Sequence, residues 1–179
     1  MKLTARLFQE SDVPTRVAWI NNPAINNTMF FDLPATEEKT ANWFRGKDNN
    51  KRVDFSFVDE SGVIVCMGGY TDINRIHNNA EFYVMVNPDC QGKGIGKKTS
   101  FWMYNYAFLV LNLNKIYLHT NQDNIAAYKI YENAGFTLEG VLRQHKFKNN
   151  TFIDRRFYGL LKSDWRKKDW RIESITYEF

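Results

Sequence analysis

Apolar residues recur along the chain with the periods of short strands and amphipathic helices, and these periods predict an α+β domain. The predicted strands are Leu3 to Phe8, Arg52 to Val58, Val63 to Tyr70, Ala80 to Val86, Lys115 to Thr120, about Leu138 to Lys148 and Thr151 to Lys162. The first predicted helix is capped by Ser11 or Asp12, reaches about Ile20 and ends at Asn22-Pro23. The second is capped by Thr36 and runs from Glu37 to about Lys47. The last two run from Lys97 to Leu111 and from Asn124 to Ala134.

Successive side chains of a strand point to opposite faces of the sheet, so the two faces of the fourth predicted strand can be assigned from the sequence. One face carries Ala80, Phe82, Val84 and Val86, and the other carries Glu81, Tyr83 and Met85. Three strands come first, followed by strand-helix-strand-helix-strands in which one crossover is parallel. We therefore expect one domain over residues 1–179, with a mixed, mostly antiparallel sheet of about seven strands and about four helices.

Composition narrows the class of protein. A chain of 179 residues with 44% hydrophobic and 25% charged residues fits one folded domain. The net charge of +4 suits a phosphate-rich ligand or an acidic substrate, but the sequence has no module typical of nucleic-acid binding. It also has no secretory signal and no apolar run near ~20 residues, so we expect a cytoplasmic protein without a membrane segment. Cys66 and Cys90 have no metal-binding spacing, so no metal site is predicted and free thiols are expected.

The segment Asp89 to Gly96, DCQGKGIG, lies between a predicted strand and a predicted helix. Its glycines are Gly92, Gly94 and Gly96, and the lysines in and after it are Lys93, Lys97 and Lys98. Glycines allow the backbone to approach a ligand closely, and the unpaired amides and dipole of a helix start favour an anion. These features describe a pyrophosphate cradle, and a simple tight turn is the alternative.

Two common phosphate-binding motifs do not fit this segment. The dinucleotide motif GxGxxG requires its last glycine one position after Gly96. The nucleotide P-loop requires GxxxxGK followed by Ser or Thr, but Lys98 follows Gly96-Lys97 and Gln91 stands where the first glycine belongs.

Two motifs together resemble the GCN5-related N-acetyltransferases, the GNAT family. Gln91 to Gly96, QGKGIG, matches the family motif Q/R-x-x-G-x-G/A. Asn124 to Phe136, NIAAYKIYENAGF, matches the second signature, N-x-x-A-x-x-x-Y-E-x-x-G-F. The remainder is similar to the branch that contains ribosomal-protein N-terminal, spermidine and amino-sugar acetyltransferases. The resemblance covers nearly the whole chain and is weakest before residue 50.

The resemblance implies that acetyl-CoA is the cofactor and that a central pair of parallel strands opens at its site. In the family, the first motif holds the CoA pyrophosphate, and the strand before it pairs with the pantetheine arm. The cofactor-binding residues implied are Met85, Val86, Gln91, Gly92, Lys93, Gly94, Gly96, Lys97 and Asn124.

Tyr131 occupies the family position of the general acid that protonates the departing thiolate, and Glu81 lies where several members place a general base. We expect the pocket to raise the pKa of Glu81. A packing tyrosine and a surface glutamate are the structural alternatives for these two residues. His77, His145 or a chain of waters are alternative bases. No acetyl-enzyme is expected, because neither cysteine occupies a recognised nucleophile position.

The acceptor is expected to be a small or flexible primary amine, and an amino sugar linked to a nucleotide is the main hypothesis. The stretch WINNPAINNTMFF resembles bacterial enzymes that acetylate such sugars, and it supplies the candidate substrate-binding residues Trp19, Asn21, Phe30 and Phe31. The basic residues Arg143 and Lys146 are candidates for a diphosphate. Protein N-termini and polyamines are alternative acceptors, and a non-catalytic CoA-binding module is a remote one. The oligomeric state is open, with a homodimer as one alternative.

Overall fold

Eight strands form one mixed sheet in the computed structural model, which describes residues 2–166 and 175–178. The strands are β1 (Leu3–Leu7), β2 (Val53–Asp59), β3 (Ile64–Asn74), β4 (Asn79–Val86), β5 (Lys115–Asn121), β6 (Thr137–Lys148), β7 (Thr151–Leu161) and β8 (Ile175–Glu178). Their order across the sheet is β6-β7-β5-β4-β3-β2-β1-β8. Only β4–β5 and β1–β8 are parallel neighbours. The predicted α+β class and the seven predicted strands are confirmed, and β8 is an addition.

Six helices connect or flank these strands in the described part of the chain. They are α1 (Val13–Asn21), α2 (Pro23–Asn26), α3 (Glu37–Gly46), α4 (Ile95–Asn105), α5 (Ile125–Ala134) and α6 (Lys162–Arg166). A π-helical segment, Tyr106–Val110, continues α4, so the predicted helix over residues 97–111 begins two residues earlier and changes its pitch at its end. No helix among the described residues is long and apolar enough to cross a membrane.

Asn22-Pro23 ends α1 as predicted, and the same two residues then start α2. The Asn22 side chain accepts a hydrogen bond from the Ala24 amide at 2.9 Å, and Pro23 occupies the first helical position, where a missing N–H costs nothing. The short helices α2 and α6 account for the difference from the predicted number of about four.

The central parallel pair opens as the resemblance implied. Strand β4 pairs with β5 over only three positions, and the last of them joins Glu81 to Tyr117. On its other edge, β4 stays paired with β3 as far as Val86. The edge of β4 from Phe82 to Val86 therefore faces a gap in the sheet, and its backbone groups on that side are open to another partner.

The two faces of β4 pack against different helices, which confirms the predicted alternation. Val84 and Val86 pack on the main core with α4, where Trp102 meets Phe55 edge to face at 5.1 Å between ring centroids. Tyr83 and Met85 belong to a second core with α1 and α3. The sheet thus separates a side that carries α4 from a side that carries the first helices.

Asp12 is the N-cap residue of α1, one of the two predicted alternatives, but its side chain makes no capping bond to that helix and instead connects the first helices to the sheet. Its buried carboxylate accepts two hydrogen bonds from Arg6, at 2.7 and 2.8 Å, and one from Ser56 at 2.7 Å. The Gln9 amide donates a further bond at 3.0 Å. Burial alone would raise the pKa of Asp12, but these bonds outweigh it and hold the pKa below its ordinary value.

We predict that Asp12→Asn lowers the free energy of unfolding by about 2–4 kcal/mol at pH 7, because it leaves Arg6 without its buried partner. A carboxylate whose pKa is lowered by folding stabilises the fold above its unfolded pKa of about 3.9, and this stabilisation disappears as the pH falls further. Urea unfolding should therefore show the difference between the two proteins shrinking below pH 4. The exposed substitution Glu60→Gln is the control, and a loss no larger than the control's would contradict the prediction.

Candidate active site

A cavity of about 930 Å³ occupies the gap between β4 and β5. It extends from the glycine-rich loop before α4 to the loop that follows α2. The predicted site residues that line it are Phe30, Phe31, Glu81, Met85, Val86, Gln91, Gly92, Gly94, Gly96, Lys97, Asn124 and Tyr131. The cavity is large enough for an extended cofactor arm and a small second ligand.

The glycine-rich loop has the backbone that an anion cradle requires. Gly92 and Gly94 have φ of 74° and 75°, in the left-handed region that favours glycine. Gly94 is the N-cap of α4 and has no side chain to occupy the helix start, where Lys98 makes the first intrahelical bond to Gly94. The amides of residues 95–97 are consequently the unpaired donors of a helix N-terminus, and they favour a phosphate.

The middle of the cavity lies between the free edge of β4 and the start of α5. Met85 and Val86 are on the free edge of β4, which suits pairing with an extended amide-containing chain. Asn124 caps α5 through its side chain, which accepts a hydrogen bond from the Ala127 amide at 3.3 Å. This bond occupies one acceptor of Asn124, and the side chain amide donors are still available to a ligand.

Tyr131 lies on α5 and packs its ring against Phe136, with 5.7 Å between the ring centroids. Burial raises the pKa of Tyr131 to about 12, so the phenol is protonated at neutral pH. The tyrosine therefore contributes to the core through its ring and also lines the cavity with a proton donor.

Glu81 and His119 form a hydrogen-bonded pair on facing strands, with 2.7 Å between Oε1 of Glu81 and Nδ1 of His119. Glu81 pairs with Tyr117 across the parallel strands, and His119 follows two residues later on the same face. Burial raises the pKa of Glu81, but the His119 bond and the positive charges of Arg155 and Lys146 outweigh it and lower the pKa. The expected raised pKa of Glu81 is therefore wrong, because the pocket surrounds this carboxylate with cations.

Three cations surround Phe30 at the far end of the cavity. The side chains of Lys146, Lys148 and Arg155 lie 5.6, 5.6 and 5.2 Å from the ring centroid. Lys148 also donates to the carbonyls of Asn26 and Met29, and the second bond is 2.9 Å long. These bonds fasten the loop after α2 to the β6–β7 hairpin.

Three of the predicted site residues do not line the cavity. Trp19 is buried in the core beneath α1, where its large apolar ring packs. Asn21 exchanges two hydrogen bonds of 2.9 Å with the backbone of Ala35 and so fixes the loop before α3. Lys93 is exposed and donates to the Asp89 carbonyl at 3.0 Å. Of the basic candidates for a diphosphate, Lys146 lines the cavity and Arg143 does not.

Sequence reasoning missed His119 and considered two other histidines. His77 is exposed in the β3–β4 turn, and His145 is an exposed residue whose ring lies 5.8 Å from that of His119. The sequence did contain one signal for His119. It lies near the end of the strand predicted to follow the parallel crossover, and ligands commonly bind at the carboxyl ends of such strands. The sequence could not give the register that places it beside Glu81.

The chain was compared with known families and proteins. The profile of the Acetyltransferase (GNAT) domain matches residues 2–137. A spermidine N(1)-acetyltransferase of Vibrio cholerae serotype O1 is 38% identical over 166 residues, which cover 92% of this chain and 95% of that protein. The spermidine N(1)-acetyltransferase of Escherichia coli K12 is 38% identical over 81 residues, which cover 45% of this chain and 44% of that protein.

Solved structures agree with these sequence matches. The crystal structure of the spermidine N-acetyltransferase from Vibrio cholerae in complex with CoA and spermine superposes with a TM-score of 0.87 and 28% identity, covering 92% of this chain and 98% of that one. The glycine-rich loop, the opened parallel strands and the profile match agree with one another. The chain belongs to the GNAT family of acetyl-CoA-dependent N-acetyltransferases.

Proposed function

We propose that this chain transfers acetyl from acetyl-CoA to a primary amine of a small molecule by direct attack while both substrates are bound. One observation carries the proposal: a single cavity joins the helix N-terminus of α4, the Tyr131 phenol and the Glu81–His119 pair. A phosphate cradle, a proton donor and a proton acceptor are the groups that acetyl transfer to an amine requires. A non-catalytic CoA-binding module would not need the last two.

The chain's own residues suffice to hold the cofactor. The amides that follow Gly94, together with the Lys97 ammonium, would bind the diphosphate of CoA. The free edge of β4 beside Met85 and Val86 would bind the pantetheine arm and direct the thioester towards α5. When bound, acetyl-CoA supplies the electrophilic carbonyl, and the gap between β4 and β5 positions the amine beside it.

His119 is the proposed general base, and Glu81 is the residue that orients it. With its pKa lowered, Glu81 is ionised at neutral pH and is a poor acceptor for an ammonium proton. The same carboxylate can accept a hydrogen bond from Nδ1 of His119, which leaves the lone pair of a neutral imidazole on Nε2. His119 then takes the proton of the attacking amine, and Glu81 stabilises the imidazolium that forms.

Tyr131 is the proposed donor to the departing thiolate sulfur. A phenol with a pKa of about 12 would be a weak acid towards an ordinary thiol, whose pKa is about 8.5. Burial in the gap would also raise the pKa of the cofactor thiol above its value in water, so the two acids would differ by less than these values suggest. The Tyr131 phenol can then donate its proton, or a hydrogen bond, to the departing thiolate sulfur.

Polyamines are the acceptor class that the relatives support. Both named relatives are spermidine acetyltransferases, and one of them covers almost the full length of this chain. The family branch that the sequence resembles also contains such enzymes. We therefore propose spermidine as the first acceptor to assay.

The charge of the cavity favours a second acceptor class, an amine on a molecule that also carries a negative group. Glu81 is the one carboxylate among the described residues that line the cavity, and His119 already occupies it. Five cations in the described part of the chain line the cavity, and three of them outnumber Glu81 even when Lys97, assigned to the cofactor, and Arg52, bonded to Asp54, are set aside; these three are Arg16, Lys146 and Arg155. A tricationic polyamine would meet like charges in this site, whereas the diphosphate of a nucleotide-linked amino sugar would meet opposite ones.

CoA release assays with three acceptor pools test the proposal. The pools are spermidine and spermine, amino sugars linked to nucleoside diphosphates, and short peptides with free N-termini. We expect kcat/KM for one of the two small-molecule pools to exceed that for peptides by about 100-fold, because small molecules are the acceptors that the relatives and the charge of the cavity support. Acetylation of peptides alone would contradict the small-molecule assignment, and no acetylation of any pool would contradict the function.

The cradle is tested by Gly94→Glu, which we predict weakens CoA binding by more than about 100-fold, because a carboxylate would project where the diphosphate binds. Gly62→Glu is a matched control, since Gly62 also has a left-handed φ, of 85°, but lies in the β2–β3 turn. Both variants carry the same backbone strain and the same added charge. Calorimetry that finds equal CoA affinity in the two variants would contradict the location of the cradle.

The acid role is tested by Tyr131→Phe, which should lower kcat by about 100-fold or more and leave CoA affinity within about 3-fold. Tyr128→Phe removes the same hydroxyl from the same helix outside the cavity and serves as the control. Turnover at saturating acceptor and CoA calorimetry separate the chemical step from binding. Equal kcat values for the two variants would show that Tyr131 is only a packing residue.

A further inference from the structure

Arg16 on α1 is a buried cation without a carboxylate partner. Only 4% of the residue is exposed, and its Nη1 atom is buried without any hydrogen-bond partner. Among the described residues, no acidic side chain lies within ion-pair distance of its guanidinium. A buried, uncompensated charge costs several kcal/mol, so its presence at the wall of a cavity calls for a ligand as the explanation.

The cations nearest to Arg16 on the sheet have carboxylate partners, and Arg16 has none in the described part of the chain. Arg6 is paired with Asp12, and Arg52 and Lys47 share the buried Asp54 at 2.9 and 3.1 Å. The Tyr83 hydroxyl also donates to Asp54 at 2.5 Å. Asp54 is therefore fully engaged and does not compensate Arg16, whose charge remains in excess.

Aromatic rings hold the Arg16 guanidinium in place. Its Cζ atom lies 4.7 Å from the Trp43 ring centroid, and three further rings lie 5.8 to 5.9 Å away. Ring faces stabilise the cation but accept no conventional hydrogen bonds from its N–H groups. A guanidinium held by aromatic rings keeps its planar fork of donors for a carboxylate or a phosphate.

The position of Arg16 separates it from the cofactor cradle. Arg16, Phe31 and Tyr83 line the same cavity as Glu81. Tyr83 follows Glu81 by two residues on the same face of β4, about 7 Å along the strand. That face looks towards α1 and α3, whereas α4 and its N-terminus lie on the opposite side of the sheet. An anion at Arg16 would thus lie near the reacting amine and away from the cofactor diphosphate.

We propose that Arg16 binds an anionic group of the acceptor, a carboxylate or a phosphate, in the same cavity that holds the reacting amine. The inference rests on the proposed N-acetyltransferase function and selects the second acceptor class. The ring-bound guanidinium orients the acceptor through a two-pronged contact, and the amine end lies beside His119. Lys146 and Arg155, which line the same cavity, add favourable charge for this ligand.

Matched acceptor pairs that differ by one anionic group test the kinetic consequence. Glucosamine is compared with glucosamine 6-phosphate, and an ω-amino acid is compared with its carboxamide, so that the two arms distinguish phosphate from carboxylate. In the unaltered protein, kcat/KM should be at least about 10-fold higher for the charged member of one pair. Arg16→Met should remove that preference and change kcat/KM for the neutral member by less than about 3-fold.

Arg45→Met is the control variant, because Arg45 is an exposed residue of α3 that does not line the cavity. It should keep the preference for the charged acceptor. An equal loss for both members of a pair in Arg16→Met would indicate a structural role and overturn the proposal. Spermidine as the sole accepted amine would also overturn it, while leaving the N-acetyltransferase function intact.

A binding measurement decides the proposal even if none of these amines is acetylated. With the protein saturated by CoA, so that the cradle is occupied, inorganic phosphate or acetate should raise the melting temperature of the unaltered protein and of Arg45→Met. The same anions should not stabilise Arg16→Met. Without any added anion, Arg16→Met should unfold at the same temperature as the unaltered protein or higher, because an uncompensated buried charge has been removed. An anion response that persists in Arg16→Met would overturn the proposal.

Discussion

The structure depends on where the parallel pairing of β4 and β5 stops. Three residue pairs hold the strands together, and beyond Glu81 and Tyr117 the strands separate. An unpaired strand edge in the interior of a sheet is costly unless another chain of amides completes it. We propose that the cofactor arm supplies these amides, so the break in the sheet provides the cavity that this ligand fills. Every group assigned a role lies along this gap or at one of its ends.

Electrostatics divides the cavity into regions with different tasks. The α4 end offers backbone amides and Lys97, which suits a diphosphate. The centre carries the Glu81–His119 pair and a protonated Tyr131, and in the proposed mechanism His119 takes a proton while Tyr131 gives one. The far end is cationic and aromatic around Phe30. The positive charge of this end favours an acceptor that carries an anionic group, whereas the relatives named above acetylate spermidine.

Local sequence rules predicted the parts of the site that are themselves local. The glycines of the cradle, the cap and face of α5 and the alternation along β4 each follow from spacing within one element. The side chains of Asp12, Trp19 and Asn21 make contacts other than the predicted ones for a common reason. In each case the side chain is used by a partner from another element, which a pattern along one segment does not show.

The residues that sequence reasoning missed depend on register or on several elements meeting. His119 reaches Glu81 because β4 and β5 pair in a register that brings together two residues 38 positions apart in the sequence. Arg16 draws its properties from rings just after β1, on α3 and on β4, and from a carboxylate that other cations already bind. Neither arrangement has a spacing signature, so both emerged only from the packed structure.

A crystal structure of the protein with CoA would show whether the gap between β4 and β5 holds the cofactor arm. We expect the pantetheine amides to hydrogen-bond to the free edge of β4 and the sulfur to lie within about 4 Å of the Tyr131 hydroxyl oxygen. The diphosphate should be held by the amides that follow Gly94. A pantetheine arm bound outside the gap, or a sulfur that no proton donor of α5 can reach, would contradict the account.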